Sequence, residues 1–248
     1  MEVSLYQAAA AMNATARWQE MISDNLATAS IPGGRKREIS FSAIQAGLDS
    51  NVSGFANPGY VLPAANTVTN FQQGELRPSG NSMDFALEGP GFFSIQMPDG
   101  QQAYTRNGQF QLNAQGQLVT SQGFRVLGDS GPIQFDAGSS IPITISATGE
   151  VSQGADQKGK LKITEFNKPD QLTAMGGSLF RVDNPDLKTT NGNNTYVRQG
   201  SVENANSSPT MEMASLITAM RMFESNQKVL QMQSDRMSRE ISDLGNPG

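Results

Sequence analysis

Residues able to do acid–base or nucleophilic chemistry are scarce in this sequence and poorly placed for it. The 248 residues include no Cys and no His. That absence removes thiolate and imidazole zinc ligands, His-activated nucleophiles, and the side chain that titrates near neutral pH. Carboxylate pairs remain, but Asp84 and Glu88 lie four residues apart in a predicted strand. A strand rises about 3.3 Å per residue, so these two carboxylates cannot form a close catalytic dyad.

The other chemical candidates favour structural roles. Asp183 and Asp186 share a loop where weak calcium binding is conceivable, but turn formation explains them better. Ser152 lies in a segment whose glycine spacing does not match a nucleophile elbow, and no His exists to activate it. We therefore predict no enzyme activity, no catalytic residue, no metal site, no cofactor and no small-molecule substrate.

Composition narrows the class of partner. With 18 basic and 23 acidic residues, the net charge of −5 argues against a nucleic-acid partner. The only basic cluster, Arg35-Lys36-Arg37, is predicted to be a solvated face just beyond a helix end. The start lacks a basic segment followed by an apolar stretch, so no cleaved secretory signal is expected. No apolar run is long enough to predict a membrane-spanning helix.

A helical pattern with apolar residues alternately three and four positions apart occupies the C-terminal region. This spacing keeps side chains on one face of a helix that packs against a partner. Thr210 is the predicted cap, and the helix, on the order of 45 Å long, should end before Gly245. Its apolar positions are Met213, Leu216, Met220, Phe223, Leu230, Met237, Ile241 and Leu244, with Gln227 and Ser234 at the two polar positions between.

The N-terminal region repeats this pattern. Its helix should end at Ile31-Pro32-Gly33-Gly34, since Pro removes a donor and Gly commonly follows a helix. Trp18 is predicted to anchor an interface, the alternative being a lone core aromatic. The apolar positions are Leu5, Ala8, Met12, Ile22, Leu26 and Ala29, with Thr15 and Gln19 at the polar positions.

Two interpretations of these helices are open. They either pack on the middle of the chain, or pair with each other and with other copies of the chain. We favour the second, because neither apolar face has the width of a globular-core helix. On this hypothesis the ends are largely disordered in the isolated chain and fold on docking, while the polar positions set the register.

The middle of the chain has β character. Asp99-Gly100 predicts a hairpin, and regular Gly-containing turns after it predict a meander of short antiparallel strands. The run from Lys160 to Thr164 alternates charged and apolar residues and predicts one strand with a wet face. Residues 35–77 show little periodicity beyond one short strand at 68–71, and we expect an extended connector there.

The predicted class is thus α+β: terminal helices pairing as a coiled-coil-like domain around a central all-β domain of short antiparallel strands. The expected boundaries are residues 1–34 and 205–248 for the helical domain, 35–77 for the connector, and 78–204 for the β domain.

Three separated motifs resemble the axial proteins of the bacterial flagellum, and among them the rod proteins. The first is Asn25-Leu26-Ala27 before a Gly-containing turn, although the Phe usual after that turn is missing here. The second runs through Gly89-Pro90-Gly91-Phe92-Phe93 and Tyr104-Thr105-Arg106-Asn107-Gly108. The third includes Leu216-Ile217 and Arg221 to Asn226.

The resemblance implies a structural subunit of the basal-body rod, part of the drive shaft and export channel, exported without a cleaved signal. Its implied partners are copies of itself, other rod proteins and the flagellar export apparatus. The resemblance is greatest to the proximal rod protein; a distal rod or hook-type protein is the alternative, and a β-domain binding module on an oligomeric helical stalk is a competing class. The predicted assembly interface comprises Leu5, Met12, Trp18, Ile22, Asn25, Leu26, Met213, Leu216, Ile217, Met220, Phe223, Asn226, Leu230, Met237, Ile241 and Leu244.

Overall fold

The computed structural model describes residues 2–46, 60–136, 141–184, 186–192 and 194–244. Both terminal regions are helical and the region between them is antiparallel β, so the predicted α+β class is confirmed. Contacts divide the chain into two compact units. Unit 1 comprises Met1–Asn25, Arg37–Val68 and Pro209–Gly248, and unit 2 comprises Leu26–Lys36 and Thr69–Ser208.

Two long helices and a two-stranded sheet make up most of unit 1. Helix α1 spans Glu2–Thr28 and helix α2 spans Pro209–Leu244. Strands β1 (Arg37–Ala46) and β2 (Tyr60–Thr69) pair with each other. Neither helix, over its described residues, has an apolar stretch long enough to cross a bilayer.

Sequence chemistry explains where the helices begin and end. No Gly or Pro interrupts α1, and it stops where Ile31 and Gly34 donate backbone hydrogen bonds to Thr28 and Ile31 in successive turns. Helix α2 begins at Pro209, one residue before its predicted cap Thr210. Proline suits the first helical position because the N–H it lacks has no partner there, so the predicted cap is wrong.

Unit 2 is built from short antiparallel strands. The strands are β3 (Leu76–Pro78), β4 (Phe85–Glu88), β5 (Phe92–Gln96), β6 (Gln102–Thr105), β7 (Phe110–Leu112), β8 (Leu118–Thr120), β9 (Arg125–Gly128), β10 (Gly131–Pro132), β11 (Ile143–Ile145), β12 (Glu150–Gln153), β13 (Asp156–Lys160), β14 (Ile163–Phe166), β15 (Thr173–Gly176), β16 (Leu179–Arg181), β17 (Thr189–Asn191), β18 (Tyr196–Gln199) and β19 (Ser201–Glu203).

The largest sheet has the order β15-β16-β6-β5-β9-β8-β7, with β10 beside β9, β14 beside β5, and β17 beside β14. Strands β11, β12 and β13 form a second sheet, while β18 pairs with β4 and β19 with β3. The predicted hairpin at Asp99-Gly100 is confirmed, since Ile95 pairs with Ala103 across it. The predicted simple meander is wrong, because β5 pairs with β9 as well as with β6.

Strand β5 separates two apolar clusters in unit 2. Neighbouring side chains on a strand point to opposite faces, so Phe92 and Phe93 enter different clusters. The Phe93 ring lies 5.0 Å from the Phe110 ring, edge to face, in one cluster. The Tyr104 and Phe166 rings lie 4.9 Å apart in the other. Burial on both faces of β5 explains why its first four residues, Phe92 to Ile95, are all apolar or small.

Two other strand predictions need correction. The run from Lys160 to Thr164 is divided between β13 and β14. Leu161 and Lys162 lie between these two strands, and their backbone N–H groups donate to the carbonyls of Gly149 and Leu127. The short strand predicted at 68–71 is the end of β2, which stops at Thr69. Where these strands begin and end depends on contacts with neighbouring strands, and a sequence pattern does not contain those contacts.

Candidate assembly interface

One row of side chains along α2 is less exposed than its neighbours. The row alternates by four and three residues, as expected for one helix face. It consists of Glu212, Leu216, Ala219, Phe223, Asn226, Leu230, Gln233 and Met237. Four residues of the predicted seam lie in this row: Leu216, Phe223, Leu230 and Met237. Met213 and Met220 each lie one residue after a member of the row.

Met213 and Met220 lie on an outward row of α2 that has a large exposed apolar surface. Met213, Ile217 and Met220 are 52%, 54% and 52% exposed and share one face of α2. Gln227 and Ser234 continue the same row and are also exposed. On the other flank of the less exposed row, Met211, Met222, Val229 and Met232 are exposed too. An exposed apolar surface on both flanks of the less exposed row normally marks a place where other protein surface binds.

Residues of α1 complete a small apolar cluster in unit 1. Met21, Ile22 and Ala219 are buried together, with Trp18, Ile39 and Leu216 packed against them. The cluster therefore joins α1, β1 and α2. Met12 and Leu26 are half-buried. The side chains of Leu5, Ile241 and Leu244 lie outside the described part of the structure.

Asn25, expected at an interface between subunits, is 1% exposed within its own chain. Its Oδ1 accepts a hydrogen bond from the Arg37 backbone N–H, and its Nδ2 donates to the Arg37 carbonyl, both at 2.8 Å. Nδ2 also lies 3.4 Å from Glu212 Oε2 on α2. The Asn25 side chain thus bonds to the first residue of β1 and to a residue in the first turn of α2. These contacts lie inside the subunit.

Asn25→Ala is expected to lower the free energy of unfolding of unit 1 by about 2–3 kcal/mol, because it leaves buried backbone groups of Arg37 without their partner. Trp18, the only Trp, lies in unit 1, so urea unfolding followed by its fluorescence isolates this unit. Asn13→Ala, an exposed change on the same helix, is the control and should be nearly neutral. Equal effects of the two substitutions would contradict the assigned role of Asn25.

Unit 2 contains a buried charge cluster centred on Glu203. Arg35 Nη2 donates to Glu203 Oε1 at 2.7 Å, and Arg106 Nη1 lies 3.4 Å from Oε2. The three side chains are at most 2% exposed. The Gly74 backbone N–H donates to Oε1 at 2.8 Å. One carboxylate therefore contacts two guanidinium groups, and the charge of a second buried carboxylate, Glu165, also acts on Arg106.

Burial in this cluster makes the charged form of its arginines less favourable. Burial lowers the pKa of the Arg106 guanidinium to about 10; Glu203 opposes this shift, and the like charge of Arg35 adds to it. Arg35 Nε, Arg35 Nη1 and Arg106 Nε are buried without hydrogen-bond partners. The Arg106 guanidinium also lies 4.8 Å from the Phe92 ring centroid, a cation–π contact.

Sequence patterns do not reveal this cluster, and the predicted position of Arg35 is wrong. The predicted solvated face at Arg35-Lys36-Arg37 is wrong for Arg35, which is 6% exposed, because Glu203 pairs it inside unit 2. Arg35 and Glu203 are 168 residues apart, so no local pattern could connect them. The one local feature that marks this site in the sequence is the Gly-containing turn just before Arg35.

The chemical candidates have structural contacts. Asp84 accepts a hydrogen bond from Asn81, and Glu88 pairs with Arg198 at 2.7 Å on the surface. Arg181 bonds to Asp183 at 2.6 Å and, as the largest cause, lowers the pKa of that carboxyl. Ser152 Oγ lies 2.9 Å from Thr144 Oγ1 across two strands. Within the described residues, no group of three or more carboxylates is placed to hold a metal ion.

The chain thus has helical ends, a central antiparallel β region and an exposed apolar surface on α2. Two family models show that it is similar to the axial proteins of the flagellum. Residues 86–153 match the family model for the D1 domain of the flagellar hook protein FlgE/F/G, and residues 198–244 match the C-terminal model of the flagellar basal body rod FlgEFG protein.

Individual relatives extend this similarity along the chain. The flagellar basal-body rod protein FlgF of Mesorhizobium japonicum is 30% identical over 246 residues, covering 99% of both chains. FlgF of Escherichia coli is 30% identical over 259 residues, covering 96% of this chain and 97% of the relative. FlgG of Buchnera aphidicola is 33% identical over 245 residues, covering 90% and 92%. The chain belongs to the flagellar basal-body rod proteins, a family of structural, non-enzymatic subunits; the predicted resemblance and the predicted lack of enzyme activity are both confirmed.

Proposed function

We propose that this subunit assembles helically in the rod through α1 and α2, as part of the drive shaft and export channel. The observation that carries the proposal is the exposed apolar surface of α2. Seven of the twelve large apolar side chains found exposed in the described part of the chain lie on this helix. Covering such a surface with neighbouring subunits removes apolar area from water, which is the main driving force of association.

Helical growth requires a contact between two different surfaces of the subunit. A self-complementary contact closes a dimer, whereas a head-to-tail contact generates a filament. We assign one surface to the outward row of α2 and the other to α1, with the pair packing in the coiled-coil manner across subunits. Thr15 satisfies its hydroxyl within α1, by bonding to the carbonyls of Ala11 and Met12. Gln19, Gln227 and Ser234 are therefore the polar residues left to set the register.

The proximal rod is the position that the relatives favour. FlgF relatives match over 96–99% of this chain at 29–30% identity, whereas FlgG relatives match over 90–95% of it at 29–33% identity. The distal rod is the alternative. The proposed partners are copies of this chain, other rod proteins, and the flagellar export apparatus that delivers the chain to the basal body without a cleaved signal.

Replacing Met213, Ile217 and Met220 together with Gln is expected to prevent incorporation into basal bodies. Gln keeps helix propensity, and the three positions are exposed, so the isolated subunit should change in stability by roughly 0.5 kcal/mol or less per site. The measurement is immunoblotting of purified basal bodies from a flagellated host lacking its own copy, together with swimming motility.

The matched control changes three exposed polar residues on another face of the same helix, Thr218, Arg221 and Ser225, to Ala. This variant should incorporate like the unmodified chain. Normal incorporation of the triple Gln variant would overturn the proposed interface. Sedimentation of the unmodified chain separates the competing class: a stalk forms a discrete oligomer, whereas a rod subunit stays monomeric until nucleated.

A further inference from the structure

Three backbone segments of unit 2 meet where the chain continues into unit 1. They are residues 31–36, which end at the boundary before Arg37, residues 69–75, which follow the boundary after Val68, and residues 203–208, which end before Pro209. Each segment carries the chain out of the β unit or into it. Their mutual positions therefore set where the chain leaves unit 2.

Asn206 bonds to all the other segments at once. Its Oδ1 accepts the Lys36 backbone N–H at 2.6 Å, and its Nδ2 donates to the carbonyls of Asn70 and Gln72, both at 2.9 Å. Its own backbone N–H donates to Gly34 O at 3.3 Å. The Asn70 N–H in turn donates to Lys36 O at 2.8 Å. The Asn206 side chain thus accepts a hydrogen bond from the segment 31–36 and donates two hydrogen bonds to the segment 69–75.

Glu203 repeats this arrangement three residues earlier. Its carboxylate bonds to Arg35 and to the Gly74 N–H, and its backbone carbonyl accepts the Gly33 N–H at 2.7 Å. Gly33 has φ of +68°, and a Cβ there would meet the Arg106 carbonyl carbon at 2.5 Å. The turn after α1 therefore approaches the β unit at a distance that only glycine allows.

We propose that Asn206 and Glu203 are positioning residues for assembly: together they form a clasp that holds the three boundary segments in one fixed arrangement before the subunit docks. The inference rests on the proposed function, since it concerns the subunit that assembles. It predicts that loss of Asn206, a residue outside the apolar surface of α2, impairs incorporation while the β core stays intact. The side chain of Asn206 contacts backbone alone in these bonds, so its role is to place those segments relative to one another.

The test compares three variants of the full chain by amide hydrogen exchange and by incorporation into basal bodies. Asn206→Ala should speed exchange of the Lys36 amide by about tenfold or more, the loss of roughly one buried hydrogen bond. Exchange of the Ile95 and Val126 amides, deep in the β core, should be unchanged, and incorporation should fall. Asn204→Ala, two residues away and making none of these side-chain bonds, is the matched control and should behave as the unmodified chain.

Asn206→Asp separates the hydrogen bond to Lys36 from the two hydrogen bonds to Asn70 and Gln72. It keeps an acceptor for the Lys36 N–H but loses both donors to Asn70 and Gln72, so the Lys36 amide should stay protected while incorporation is still reduced. Export of each variant is measured in the same cells, so that a loss of incorporation is not a loss of delivery.

The outcomes separate two failures. If the unmodified chain does not enter basal bodies, the proposed function fails. If the unmodified chain enters and Asn206→Ala enters equally well, the clasp inference alone fails. Loss of protection at Ile95 and Val126 together with Lys36 would also overturn it, since Asn206 would then be a general stability residue.

Discussion

Glu203→Gln should lower the free energy of unfolding of unit 2 by about 3–5 kcal/mol, the usual cost of breaking a buried ion pair from one side. The substitution preserves shape but removes the carboxylate that contacts Arg35 and Arg106, which are 2.7 and 3.4 Å away. Two buried guanidinium groups would then lose the carboxylate that they share. Urea unfolding followed by near-ultraviolet circular dichroism measures the change, because the packed aromatic clusters lie in unit 2.

Arg35→Met is the informative comparison, because two guanidinium groups share one carboxylate in this cluster. It leaves the Arg106–Glu203 pair in place and removes two buried N–H groups that have no partner, Arg35 Nε and Nη1. We expect it to cost about 1–2 kcal/mol, well below the cost of Glu203→Gln. An equal or larger effect of Arg35→Met would show that Glu203 is not the residue on which the cluster depends.

Gly108→Ala should destabilise unit 2 by about 3 kcal/mol or more, at or beyond the upper end of overpacking costs. A Cβ at this position would overlap the carbonyl oxygen of Phe85, whose N–H donates to Gly108 O at 2.9 Å. It would also come within 3.0 Å of the Phe93 ring. Neither backbone can withdraw without losing that hydrogen bond and disturbing the core. Thermal unfolding by circular dichroism measures the loss.

Gly100→Ala is the matched control for Gly108→Ala. Gly100 has φ of +82° and open space where its Cβ would stand, so the cost is only that of a left-handed residue, about 1–2 kcal/mol. Similar losses for both variants would mean that close backbone approach at Gly108 is not the constraint. The sequence identifies both glycines as turn residues and cannot tell these two reasons apart.

Much of the secondary structure follows from local signals. The 3–4 spacing of apolar residues predicts both helices, since 3.6 residues per turn brings those side chains to one face. The Asp99-Gly100 hairpin is predicted because its turn needs a residue with positive φ. The motif at Tyr104 to Gly108 is recognisable without any structure. These features depend on neighbours within a few residues, which is why the sequence alone determines them.

Tertiary structure decides which helix row is covered and which is exposed. Rows one residue apart on α2 have the same period, so spacing could not separate Leu216 and Phe223, on the less exposed row, from Met213 and Met220, on the exposed one. The cluster with Met21 and Ile22 makes that choice. The interface set predicted from periodicity thus mixed residues that pack within the subunit with residues available to a neighbour.

Contacts between residues far apart in the chain could not be predicted from the sequence for a related reason. Arg35 looked like part of a solvated basic run, and Asn206 carried no signal, because each acquires its role from backbone or charge brought close by folding. The energy of a buried ion pair or a shared amide depends on distance in space and on exclusion of water, and neither quantity is written in the order of residues. The sequence by itself determined the elements and the family; only the fold decided which polar groups are buried together and which apolar face remains for another subunit.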